Sequence, residues 1–303
     1  MGALCYVEEF VQQEQAAGRA VHTRRNHRRA LERLDAWLDS QGLTEAAVQA
    51  ADLVRFVNSE GERVSRGQVN NVVSAVRVYF QWLSTEGLRR DGRNPAVRLK
   101  YQTIPLKPVE SLSESDCKKL VRWAATRAPR ERFGVHRTGV LALVLLDTGL
   151  RIGEALRLKL GDVDFDKGKI LVRRTKTGDF RVVPLSPLLR KYLRRYLQRR
   201  EERVAKLGSR AEEVFLSESG GPCTVSAAEV SFRYLSRAAG LGRVYPHLLR
   251  HTFATQSLLN GAPLPAVMRL GGWRKLSTVQ RYTYMNDAVA AEVHAKTSPL
   301  AAM

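Results

Sequence analysis

The stretch "RNPAVRLKYQTIPLKPVES" at residues 93–111 constrains this chain most. Pro95, Pro105 and Pro108 each remove a backbone donor, fix φ and push the preceding residue out of the helical region. No apolar period of 3.6 or 2 survives across it. A single helix or strand cannot run through such a segment, so the periodic stretches on either side must bury their apolar faces in separate cores. With 303 residues there is enough chain for both. This predicts a helical unit over 1–100, a linker over 101–112 and a second unit over 113–303.

Before the linker, "YVEEFVQQEQAA" and "RRNHRRALERLDAWLDSQGL" carry apolar residues at helical spacing, the second ending at Gly42. "QVNNVVSAVRVYFQWLSTEGL" (68–88) is a third helix, with Val72, Val76, Tyr79, Phe80 and Leu83 on one stripe and Gly87 as its stop. After the linker, Ser113 is placed to cap a helix running into "CKKLVRWAATRA", with Asp116 three residues on. "TGVLALVLLDTGL" then reads as a buried helix. "KILVRR" (169–174) and "FRVVPL" (180–185) alternate like strands around the turn "TKTGD", and so predict a β-hairpin. "PLLRKYLRRYLQRREERVAKLG" is a long amphipathic helix with Leu189, Tyr192, Leu193, Tyr196 and Leu197 inward. The expected fold class is mainly α with a small β-sheet, in two lobes.

Charge narrows the partner. The net charge is +20; residues 1–100 contribute +3 and residues 101–303 contribute +17. Within 166–210 there are 15 basic and 4 acidic residues. A polyanion is the expected partner, nucleic acid ahead of an acidic membrane surface or an acidic protein. The apolar run "VLALVLL" is too short to span a bilayer, and the N-terminus has no signal-peptide pattern. Cys5, Cys117 and Cys223 are widely spaced, which fits a reducing cytoplasm and no cysteine-rich zinc site.

Several motifs fail on chemistry. "DVDFDKGK" puts Asp162, Asp164 and Asp166 at the first ligand positions of a calcium loop, but Lys167 and Arg173 stand where Gly and Glu are required. It predicts a polar turn. "HLLRH" (247–251) has zinc-protease spacing, yet Leu248 replaces the needed Glu and Arg250 would repel a cation. No metal and no nucleotide-binding loop are expected.

What remains suits one reaction. Arg151 and Glu154 stand three apart, as do His247 and Arg250, and Lys176 lies in the hairpin turn. Alone, each pair is an ordinary salt bridge or helical neighbour, and such a lysine is ordinarily just solvated. Together they meet the needs of phosphodiester transesterification. Two arginines present planar, permanently charged donor forks to a five-coordinate phosphorus. A histidine relays a proton or adds a donor, and a lysine on a turn protonates the leaving oxygen. A tyrosine, with a free pKa of about 10, becomes a nucleophile in a concentrated positive field. "TVQRYTYM" offers two, Tyr282 and Tyr284, on nearly opposite faces of a helix, so one site can use only one of them.

These residues resemble the tyrosine recombinase (phage integrase) family, Xer-like members in particular, over nearly the whole chain. "TGLRIGEALRLKLGDVD" resembles its first arginine box and "RTKTGDFRVVPL" its lysine hairpin. "HLLRHTFATQSLLNGAPLPAVMRLGGW" resembles the HxxR box with the helices after it, and "STVQRYTYM" the nucleophile box. "VSAVRVYFQWLSTEGLRRDGRNPA" is similar to the last helix of a core-binding domain. Any one box is weak; four in order are specific.

The resemblance implies Arg151 and Arg250 on the scissile phosphate, Lys176 as general acid, His247 in proton transfer and phosphate binding, and Glu154 in support. Trp273 stands where Xer-like members usually have histidine, as in some other recombinases. Its indole can donate a hydrogen bond but cannot shuttle protons. The nine-residue step from Trp273 matches the family's spacing to the nucleophile and selects Tyr282. Tyr284 is then a packing residue or a DNA contact.

The implied activity is site-specific recombination of double-stranded DNA at core sites through a 3′-phosphotyrosyl link, without ATP, metal or cofactor. It implies a C-shaped two-lobe clamp, a homotetramer or a related recombinase in the synapse, and a cytoplasmic, nucleoid-associated protein. The tail "NDAVAAEVHAKTSPLAAM" is either a docking element or a frayed terminus. Two alternatives share features: a type IB topoisomerase, and a non-catalytic DNA-binding protein.

Overall fold

The computed structural model describes residues 2–89, 91–105, 109–126, 130–173, 180–282, 294–295 and 298. It divides into two compact units, Met1–Leu106 and Lys107–Met303. In the first, helices α1 (Val7–Ala16), α2 (Val21–Ser40), α3 (Ala50–Arg63) and α4 (Arg66–Thr85) enclose one core. The predicted stripe on α4 is its buried face, with Val72, Val76, Tyr79, Phe80 and Leu83 fully buried. Helix α3, not singled out by the sequence reasoning above, fills the opposite side with Leu53, Phe56 and Val57. Residues beyond α4 return to it: the Asn70 amide donates to the Gln102 carbonyl at 2.9 Å, and Asn70 accepts from the Gln102 backbone at 2.7 Å.

The second unit is built around α6 (Phe133–Thr148). Val140 to Leu145 are buried all round the helix, the pattern of a central helix rather than an amphipathic surface one. Helices α5 (Glu114–Thr126), α8 (Pro187–Leu207), α9 (Val225–Ala238) and α10 (Pro246–Leu259) pack about it. Ser113 accepts the Asp116 N–H as expected of the cap. On α8, Leu189, Leu193 and Tyr196 are buried, and so is Arg200, whose guanidinium bonds the Glu213 and Ala211 carbonyls, while Arg194 and Arg195 are exposed.

The hairpin strands β2 (Lys169–Arg173) and β3 (Phe180–Pro184) pair antiparallel, Ile170 opposite Val183 and Val172 opposite Arg181. The turn between them, including Lys176, lies outside the described residues. A third strand, β1 (Val163–Asp164), pairs with β2 and extends the expected hairpin. It comes from the segment read above as a polar turn. The Asp162 carboxylate there accepts from the Lys159 N–H at 3.0 Å and from Arg173 at 2.7 Å. These donors occupy the oxygens that a calcium loop would direct at an ion. Among the described residues no helix is long and apolar enough to cross a membrane.

Candidate active site

Helix α6 ends at Gly149, whose φ of +62° is left-handed. A Cβ there would also lie 2.2 Å from the Phe253 ring, so glycine is required on both counts. The sharp exit buries Leu150 and turns Arg151 outward as the N-cap of α7 (Ile152–Leu156). Arg151 and Glu154 therefore meet across a helix cap, not along a helix face as their spacing suggested. The Glu154 carboxylate accepts from the Arg151 N–H at 2.9 Å and from its guanidinium at 3.1 Å.

The other half of that carboxylate is held by Arg181, which the sequence reasoning missed. Arg181 donates from both terminal nitrogens to the two Glu154 oxygens, at 3.0 and 2.7 Å, and from Nε to the Leu270 carbonyl at 2.9 Å. Its side chain is 7% exposed and that of Glu154 9%. One buried arginine thus joins β3, α7 and the end of helix α11 (Leu264–Gly271). Burial alone would push the Glu154 carboxyl up. Hydrogen bonds from Arg181 and the Arg151 backbone, with the charges of both arginines, instead hold it down to about 2. A signal was present: alternation in "FRVVPL" puts Arg181 on the same face as Val183, and a charge on the buried face of a strand needs a carboxylate.

Helix α10 starts with Pro246 at its first turn and carries both HxxR residues. His247 is exposed, whereas Arg250 is buried. The Arg250 guanidinium lies 4.0 Å over the Trp273 ring, and Nη1 donates to the Gly149 carbonyl. Its Nη2 is buried with no hydrogen-bond partner among the described residues. Burial first, then the charge of Arg151, lower the Arg250 pKa to about 9, while Glu154 and Tyr282 act the other way. The group stays charged at neutral pH, and its charge interacts with Arg151, Arg181, Glu154 and Tyr282 alike.

Gly272 stops α11 in the left-handed region with φ +68° and delivers Trp273 to the site. Helix α12 (Leu276–Val279) and the 3₁₀ turn Gln280–Tyr282 follow. Tyr282 is 8% exposed, packed with Phe253, Val267, Trp273 and Val279. Its ring lies 5.7 Å from that of Trp273, and its Oη lies 2.6 Å from His251 Nδ1. His251 is the second missed residue. Its place four after His247 fits zinc spacing, and the same geometry puts both imidazoles on one face of α10.

Arg151, Glu154, Arg250, Trp273 and Tyr282 are thus drawn together, His247 adjoins them through His251 (ring centroids 6.3 Å), and Lys176 and Tyr284 lie outside the described residues. The arrangement can do two things: bind an anion through Arg151 and the unbonded Nη2 of Arg250, and supply a phenol oxygen beside it.

Comparison with known proteins gives two family matches. Residues 110–288 match the family model described as "Phage integrase family", and residues 7–87 match "Phage integrase, N-terminal SAM-like domain". Tyrosine recombinase XerC of Oceanobacillus iheyensis is 33% identical over 98% of this chain and 96% of its own. Tyrosine recombinase XerA of Pyrococcus furiosus is 34% identical over 77% of this chain and 76% of its own. Among solved structures, XerH site-specific recombinase bound to a palindromic difH substrate, in a post-cleavage complex, matches in fold with a TM-score of 0.76 at 18% identity. That match covers 93% of this chain and 82% of XerH.

Proposed function

The chain belongs to the phage integrase family, the tyrosine recombinases, and on that premise we propose that it recombines DNA site-specifically with Tyr282 as nucleophile. The observation that carries the assignment is the convergence at Arg250. Its unbonded, buried Nη2 is a charged donor that a phosphate oxygen would satisfy, and the Tyr282 hydroxyl stands within the reach of its charge. Arg151 and Arg250 hold the non-bridging oxygens of a backbone phosphate, His247 adds a donor and the Trp273 indole N–H another. Glu154 and Arg181 keep Arg151 in place.

Tyr282 attacks phosphorus, the 3′-phosphotyrosyl link stores the bond energy, and Lys176 protonates the departing 5′-oxygen. The partner is duplex DNA at core sites. The strongly basic second unit holds phosphates through contacts that weaken with salt, and the helical N-terminal unit adds contacts of its own. The working assembly is a homotetramer, or a synapse shared with a related recombinase.

A nicked suicide duplex built on the footprint of the purified chain on its own genomic DNA tests this. A denaturation-resistant adduct that is lost in Tyr282→Phe and kept in Tyr284→Phe supports the assignment; the reverse pattern refutes it. ATP- and metal-free relaxation of non-specific plasmid by a monomer would point to a topoisomerase instead.

A further inference from the structure

On the reading of Tyr282 as nucleophile, we propose that His251 is the catalytic residue that takes the tyrosine proton, leaving His247 to face the phosphate. The two histidines are four residues apart on α10, yet they are not equivalent. His247 is exposed, while His251 is half-buried with its Nδ1 2.6 Å from Tyr282 Oη. The phenol ring lies between two neighbours, the His251 ring at 5.5 Å and the Trp273 ring at 5.7 Å. Trp273 has no basic nitrogen, whereas His251 Nδ1 lies within hydrogen-bond distance of that hydroxyl.

With its own proton on Nε2, His251 presents an Nδ1 lone pair, and Tyr282 donates to it. The titratable and charged groups about this pair are His247 and Arg250 on the same helix, with Arg151, Glu154 and Arg181 coupled through Arg250. The cations stabilise the phenolate oxygen as its proton departs.

The step balances. The Oη–H bond breaks and its proton passes to Nδ1, forming an imidazolium. The oxygen pair forms the bond to phosphorus. The bond from phosphorus to O5′ breaks with its electrons on O5′, which takes a separate proton from the acid assigned to Lys176. Ligation reverses both transfers, and the imidazolium returns its proton to the phenol oxygen.

A duplex carrying the footprinted site with a 5′-bridging sulfur at the scissile position isolates the nucleophile side, because a thiolate leaves without a proton. Wild-type adduct formation on the oxygen duplex comes first; its absence would bring down the catalytic reading and this inference with it. Given that adduct, His251→Asn keeps an acceptor near Nδ1 but cannot become charged. We expect it to cleave at least about 10²-fold more slowly on both oxygen and sulfur duplexes. DNA affinity stays within a few-fold, and the rate loses the imidazole-range pH dependence that His247→Asn retains.

Replacing Tyr282 by 3,5-difluorotyrosine, whose hydroxyl ionises more readily, recovers part of that loss; a purely positional defect would not respond. An unchanged rate, or a defect that sulfur abolishes, overturns the proposal. Should His251→Asn fail to fold, the ¹⁵N signal of His251 Nδ1 decides. It must shift between wild type and Tyr282→Phe, and an unmoved signal overturns the proposal.

Discussion

Replacing Glu154 by glutamine removes one charge and no volume, and tests how the arginines are held. In the folded protein the carboxylate accepts four hydrogen bonds, two from Arg181 and two from Arg151. Glutamine leaves the Arg181 guanidinium, 7% exposed, without its counter-charge. Breaking one side of a buried ion pair costs about 3–5 kcal/mol. Linkage gives a second estimate: a carboxyl held at about 2 instead of its ordinary ~4.5 contributes about 3 kcal/mol. Because the folded-state value is depressed, that stability is present above pH ~4.5 and is lost as pH falls toward 2.

Native-state hydrogen exchange at α6 amides reads this unit without assuming that both units unfold together. Glu154→Gln should lower protection by about 3 kcal/mol at pH 7 and flatten the loss of protection below pH ~4.5. The pair Glu154→Met with Arg181→Met should recover much of the stability, since apolar side chains fill the same buried space. It should not recover cleavage, because Arg151 still lacks its brace. A loss under about 1 kcal/mol in Glu154→Gln, or an unchanged acid limb, would refute the assignment of a buried, charge-paired carboxylate.

Other outcomes follow from single contacts. A Cβ at Gly271 would lie 1.9 Å from the Trp273 ring, so Gly271→Ala should push the indole off Arg250 and slow adduct formation at least about 10-fold in single-turnover cleavage, with DNA binding retained. His136 is buried with its pKa lowered to about 4, first by burial and then by Arg199 and Arg195. Its neutral form is favoured by folding, so its contribution is full above pH ~6.5 and falls by about 2 kcal/mol by pH 5. Denaturation of His136→Leu across that range should show a shallower acid slope than wild type. Arg250→Lys should bind DNA but form little adduct, because a single ammonium nitrogen lacks the planar fork that puts one nitrogen on the Gly149 carbonyl and holds a second apart from it for the phosphate.

Much of this protein was decided by local pattern. Prolines between 93 and 111 forbade a continuous element, the stripe Val72 to Leu83 specified a helix face, and alternation in "KILVRR" and "FRVVPL" specified paired strands. Those features depend on residues a few positions apart, where the periods 3.6 and 2 operate. Boxes in a known order also point, from the sequence alone, to Arg151, Glu154, Lys176, His247, Arg250, Trp273 and Tyr282. Tertiary structure alone decided which groups touch. Arg181 meets Glu154 across 27 residues, and His251 meets Tyr282 across 31. Arg250 meets the Gly149 carbonyl across 101. No period links such positions; packing brings them together, α10 on α6 for Arg250 and α10 against the Gln280–Tyr282 turn for His251. Arg151 shows the same division within three residues. Spacing paired it with Glu154, but the left-handed exit at Gly149 made it a helix cap pointing outward. Whether a charge is buried, braced or free to meet phosphate depends on which distant surface closes over it, and that is settled only when the core forms.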